Sequence, residues 1–118
     1  QELYLLPRAD VEIDDFSEIN EELVDNLAKM EPFGNGNAEP ILKITKATVL
    51  SVRRMGADGQ HVKLTLRDKN DVALQMLAFN APEEFFREVG DEVSAWFQPT
   101  VNEWQGMKSV EGRLLHLT

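Results

Sequence analysis

The chain contains no cysteine, which removes disulfides, thiolate metal sites and cysteine nucleophiles from consideration. Histidine is nearly as scarce. His61 and His116 are the only two, and neither stands in a His-Glu-x-x-His pattern or near a spaced carboxylate cluster. No Gly-x-Ser-x-Gly, Walker A or Gly-x-Gly-x-x-Gly motif occurs. Gly34-Asn35-Gly36 looks like a phosphate loop, but no Lys-Ser/Thr follows it. Asp14-Asp15 lacks neighbours that would complete a metal site. No apolar run reaches the roughly 20 residues needed to span a bilayer, and no signal-peptide pattern opens the chain. These absences exclude the common catalytic centres and predict a cytoplasmic module with no membrane partner and no cofactor of its own. The first residue is Gln1, not Met, so a piece of a longer protein is expected.

What is present fits one domain. The chain has 118 residues, 42% of them hydrophobic, enough for a packed core. The net charge is −9, which argues against a polyanionic partner until its distribution is considered. Residues 1–40 hold eleven acids against Arg8 and Lys29, so they carry the whole net charge. Residues 41–118 are neutral, and within them residues 41–69 set seven cations against Asp58 and Asp68. The protein is acidic on average and locally basic. Either the cations are ordinary solvated strand faces, or they mark a site for an anionic ligand.

Residues 3–13 read as an extended lead-in punctuated by Pro7. Ile19, Leu23, Leu27 and Met30 then recur at helical spacing. Asp15, Ser17 and Asn20 are candidate N-caps, and Pro32 ends the helix. The segment 31–40 holds two glycines, two asparagines and two prolines, a composition that makes a shaped connector. Strands follow at 41–54, 60–67, 72–79, 92–101 and 107–117. In the second, Val62, Leu64 and Leu66 alternate with His61, Lys63, Thr65 and Arg67. In the third, Val72, Leu74 and Met76 are assigned to the core. Residues 82–89 read as a short helix, stopped by Gly90.

The expected domain organisation is therefore an acidic lead-in, connector helix and linker over 1–40, then a barrel over 41–118. The order β-β-β-α-β-β, with a long first strand, predicts a mainly β, five-stranded OB-fold Greek-key barrel with a short helix between strands 3 and 4. An SH3-like barrel is the rival, and it usually lacks a helix at that place.

The segment Met30-Glu31-Pro32-Phe33-Gly34-Asn35-Gly36-Asn37-Ala38-Glu39-Pro40 resembles the connector that precedes the OB domain of bacterial RecJ-type single-stranded-DNA exonucleases. Ala38 stands where that family has proline. Lys63-Leu64-Thr65-Leu66-Arg67-Asp68, Leu77-Ala78-Phe79-Asn80 and Val101-Asn102-Glu103-Trp104-Gln105-Gly106 are similar to later strands and turns of the same family. The resemblance covers roughly residues 17–117. It implies an accessory domain that holds single-stranded DNA. The parent's catalytic domains carry an Asp-His-His motif, use manganese or magnesium and hydrolyse DNA 5′ to 3′. That motif is absent here. The implied partners are single-stranded DNA, the catalytic domains of the parent chain and other DNA-repair proteins. The alternative is a protein-interaction or structural spacer domain whose acidic helix docks on a neighbour.

Non-specific single-strand binding needs cations along a groove and aromatic faces for stacking, and OB folds bind across strands 2 and 3. Lys63 and Arg67 form the outward row of strand 2, and Arg53 and Arg54 lead into the loop after strand 1. Phe79 is a stacking candidate unless a bulge returns it to the core. Trp104, in the loop between strands 4 and 5, is another unless it packs against that loop or the connector. Of Trp96 and Phe97, one points in and one out. Phe85 and Phe86 are expected to plug a barrel end, and Phe33 to anchor the connector.

Overall fold

The computed structural model of the chain describes residues 9–20, 22, 23, 25 and 40–118. Among these, six strands form one sheet: β1 (Val11–Ile13), β2 (Leu42–Met55), β3 (His61–Arg67), β4 (Ala73–Ala78), β5 (Glu92–Trp104) and β6 (Met107–Leu117). The order is β1-β2-β3-β4-β6-β5, and β5 pairs back onto β2. Strands β2 to β6 therefore close on themselves as a five-stranded barrel, consistent with the OB fold. β1 adds to β2 in parallel, Val11 opposite Leu42. The circuit is otherwise antiparallel except where β4 meets β6 at Met76–Gly112 and Leu77–Arg113.

Strand β2 serves two neighbours because it bends. Its first half pairs with β5 from Leu42 to Thr48, and its second with β3 from Thr48 to Met55. The register shifts between Ile44 and Ala47 and again between Val49 and Ser51, and Lys46 takes φ of 59°. Such bulges turn a strand sharply enough to close a barrel.

Alternation along the strands fills the interior with Ile44, Val49, Val62, Leu64, Leu66, Met76 and Phe97, all fully buried. A Cβ at Gly112 would clash with Met76 Sδ and come within 3.0 Å of the Phe97 ring. Glycine there lets β6 approach β4. Phe97 is the inward member of its pair. Trp96 is buried outside the core cluster, with Lys43 Nζ 4.7 Å from its ring centroid and His116 at 4.9 Å.

The lead-in belongs to this core. Phe16 and Ile19 are buried with the barrel residues, and the Phe16 ring meets Phe97 edge-on at 6.2 Å. Asp68 fixes that arrangement. It is 4% exposed, the one buried charged group among the described residues. Its Oδ1 accepts the N–H groups of Asn70 (2.8 Å) and Val72 (2.9 Å), and its Oδ2 that of Phe16 (2.7 Å). One carboxylate thus shapes the β3–β4 turn and ties the lead-in to it. Asp68→Ala leaves three N–H groups without this acceptor, and a loss of about 3 kcal/mol is expected in urea unfolding, from the usual worth of charged hydrogen bonds. Faster amide exchange at Phe16 is expected with it. A loss under about 1 kcal/mol, the worth of one ordinary bond, contradicts the assignment.

Two expectations change. The helix predicted over 82–89 is a single 3-10 turn, Glu83–Phe85, with Pro82 as its cap residue. Phe85 is buried at the barrel end, and Phe86 leaves the turn at φ −87°, ψ 75° to lie under Arg54. Consecutive side chains on an α-helix diverge by about 100°, so a helix would turn one phenylalanine away. Val72, assigned to the core, is 40% exposed, because the Asp68 turn holds its N–H and carbonyl. Ala78 is buried in β4 beside Leu74 and Met76. The predicted N-terminal connector helix is described only at Glu22, Leu23 and Asp25, which are helical. Asn20 Oδ1 accepts the Leu23 N–H at 2.9 Å, as an N-cap does. Leu27, Met30, Phe33 and the rest of the connector lie outside the described residues.

Candidate nucleic-acid interface

Side chains opposite one another in register share a face, about 4.8 Å apart per strand. On the outer face of the barrel, Arg53 stands opposite Lys63, Lys63 opposite Leu77, Leu77 beside Arg113, and Arg113 opposite Gln98. One row across the strands therefore carries three cations over about 14 Å, with Leu77 between the second and third. Arg53 and Arg113 have no ion pair among the described residues.

Phe79 lies just beyond the row. It is 60% exposed, so no bulge returns it to the core. Its ring meets His61 edge-on at 5.1 Å. His61 Nδ1 in turn accepts the Asn80 N–H at 3.0 Å. His61, the first residue of β3, is thus a packing and hydrogen-bonding residue set against the platform. Two adjoining shallow depressions, of about 270 and 220 Å³, share Leu77, Phe79 and Arg113 as lining. The first continues toward Pro82, Phe85 and Leu115. The second continues toward Thr100 and Glu111. Leu77 and Phe79 form the shared floor, with Arg113 and the acid Glu111 at its margin and Lys63 and Arg53 beyond it in the row.

The other sequence-derived residues do not join it. Arg54 follows Arg53 and so faces the other way. Its guanidinium lies 3.8 Å from the Phe86 ring centroid, 3.3 Å from Glu83 Oε2, and donates to the Gly59 carbonyl at 3.2 Å. Those contacts pin the 3-10 turn to the β2–β3 hairpin. Arg67 shares the face of Lys63 but pairs with Asp71 at 3.4 Å, at the far end of β3. Trp104 stands at the tip of the β5–β6 ribbon, 71% exposed, opposite Met107 at 75%. Gln105 and Gly106 take φ of 53° and 79°, the two positive values of a type I′ hairpin. The strands run on to that two-residue turn where a longer loop is predicted. Trp104 packs against no loop among the described residues, and it is six residues, about 20 Å of strand, from Gln98.

Arg113 was not legible as part of the site. It lies 50 residues from Lys63 in sequence, and only the parallel β4–β6 contact brings the two together. The outward alternation of β6 is its only local signal.

The family described as RecJ OB domain matches residues 9–116. The chain belongs to that family. This OB domain is 31% identical over 101 residues to the single-stranded-DNA-specific exonuclease RecJ of Bacillus subtilis (strain 168), covering 82% of this chain and 13% of that protein. The crystal structure of RecJ from Thermus thermophilus in complex with Mn2+ superposes with a TM-score of 0.62 at 26% identity, covering 82% of this chain and 13% of that one. The Mg2+ complex of the same RecJ gives 0.61 at 25% identity, covering 81% and 14%. The OB domain thus spans about one-seventh or less of its relatives' length. The match from residue 9 includes β1 and Phe16. Among the described residues, no three His, Asp or Glu side chains are grouped to hold a metal ion. No described helix is long and apolar enough to cross a membrane.

Proposed function

We propose that this OB domain holds single-stranded DNA for a larger RecJ-type exonuclease and is non-catalytic in isolation. The strand crosses β3, β4 and β6 on the outer face. Phosphates contact Arg53, Lys63 and Arg113, and bases lie over Leu77 and Phe79. Trp104 stacks a further base along the strand. Hydrolysis, 5′ to 3′, belongs to the catalytic domains of the parent chain, with the manganese or magnesium they bind. Those domains and other DNA-repair proteins are its partners, in cytoplasmic DNA repair and recombination. The observation that carries this reading is the three-cation row beside an exposed aromatic platform, within a chain whose net charge is −9.

Titration of labelled oligo-dT by fluorescence anisotropy tests it. Binding is expected to weaken steeply with salt, each phosphate contact contributing about −0.7 to the slope of log affinity against log salt. Absence of binding at high micromolar protein in low salt rejects the reading and favours the spacer alternative. Trp104→Ala is expected to cost about 1–3 kcal/mol with the slope unchanged, because stacking releases no counterions. A flattened slope with that variant contradicts its role as a stacking platform.

A further inference from the structure

We infer that Glu111 is a built-in competitor for the DNA phosphates, one that keeps the hold on the strand weak enough for the strand to move. The inference rests on the single-strand reading above. Glu111 lies on β6, two residues from Arg113 and therefore on the same outward face. It is the only acid lining the two depressions that flank Leu77 and Phe79 among the described residues. Its side chain is 16% exposed, so water screens it poorly. It reaches over β4 to Lys63 on β3, Nζ to Oε2 3.9 Å.

That distance separates two explanations. A structural ion pair closes to about 2.7–2.9 Å, whereas 3.9 Å is at the outer edge of an ion pair. The pair caps no turn, and it gives the largely buried Glu111 carboxylate a cationic partner only at that outer edge. What it does is half-neutralise the central cation of the row. A phosphate arriving at Lys63 must displace Glu111 and then sit beside its negative charge. Lys63 thus exchanges one anion for another and releases few counterions. Arg53 and Arg113, without ion pairs among the described residues, contribute their full charge. A domain that feeds a strand onward needs such exchangeable contacts. Three unopposed cations would hold the phosphates too long between steps.

The test is a set of oligo-dT titrations over a salt series with the full chain. Glu111→Gln keeps the shape and removes the charge. It is expected to tighten binding about tenfold near 0.1 M salt, as relief of one close like-charge contact does. It also steepens the salt slope by about 0.7, the worth of one restored phosphate contact. In the native background Lys63→Ala is expected to weaken binding less than threefold. In the Glu111→Gln background the same change is expected to cost about tenfold, because Lys63 then carries its full charge. Glu111→Ala serves as a second variant, and thermal melting shows that each has folded. Unchanged affinity and slope in folded Glu111→Gln, with Arg53→Ala and Arg113→Ala still weakening binding, overturn the competitor role and leave the binding reading standing. No effect from Arg53→Ala or Arg113→Ala removes the site itself.

Discussion

Phe16→Ala is expected to destabilise the OB domain by about 3–5 kcal/mol, the usual cost of truncating a buried phenylalanine. Phe16 is 2% exposed and lies edge-on against Phe97 at the centre of the barrel. Its N–H is held by Asp68 across 52 residues of sequence. The cavity left by alanine opens beside the Phe97 ring. Trimming residues 1–31 is expected to cost more still, since it also removes β1 and Ile19. Urea unfolding checks both. A chain starting at Pro32 that melts within a few degrees of the full chain would show that the lead-in only rests on the barrel. Small domains have little stability to lose, so an effect of this size is close to unfolding.

Replacing Arg53, Lys63 and Arg113 together by alanine is expected to flatten the salt slope by about 1.4 to 2.1, at 0.7 for each lost phosphate contact. The lower end applies if Lys63 is already half-neutralised by Glu111. Affinity for oligo-dT near 0.15 M salt is expected to fall about a hundredfold or more, as loss of two to three charge-assisted contacts does. The Arg53→Ala and Arg113→Ala changes alone should leave thermal stability nearly unaltered, because neither arginine makes an ion pair among the described residues, whereas loss of Lys63 leaves the largely buried Glu111 without its cation and should lower it. Arg54→Ala is the control that behaves the other way. It lies over Phe86 and beside Glu83, so it should lower stability modestly and leave the salt slope alone. A triple variant with the native slope would move the site elsewhere.

The barrel strands were readable because their chemistry is local. Val62, Leu64 and Leu66 alternate with polar residues, and a period of two has one structural meaning. The outward position of Lys63 followed from the same alternation, whereas for Phe79 the alternation left a bulge into the core open, and only its exposure excludes one. Contacts between sequence-distant residues were not readable. Arg113 meets Leu77 only because β6 lies parallel beside β4. Asp68 signals a turn to a reader of the sequence, but nothing near it announces the Phe16 N–H it accepts. The segment 82–89 misled because Pro, Glu and Phe at that spacing suit a helix. The barrel end instead takes Phe85, and Arg54 takes Phe86. Arg54 and Arg53 look equivalent as a dipeptide, yet strand geometry sends them to opposite faces.

Asp15 of the lead-in stands away from the cation row. It lies at the Asp68 turn, where its Oδ2 accepts from Asn70 at 3.1 Å, and Glu12 lies 3.7 Å from Lys43 on β2. The Ser17 hydroxyl, and then the Ser17 N–H, hold the Asp15 carboxyl below its usual range. Asp68 is five residues along the chain from Lys63, about 17 Å of strand, and the Debye length at physiological salt is about 8 Å. Phosphates held on the proposed cation row are therefore screened from Asp15.

The most direct test is backbone and side-chain NMR of the full chain titrated with a short oligo-dT. Shifts are expected to concentrate on Arg53, Lys63, Leu77, Phe79 and Arg113, with a second group at Trp104. Residues 10–18 and the Asp68 turn should stay in place. Shifts confined to the lead-in, or spread evenly with none on the β3–β4–β6 outer face, would contradict single-strand binding at this surface.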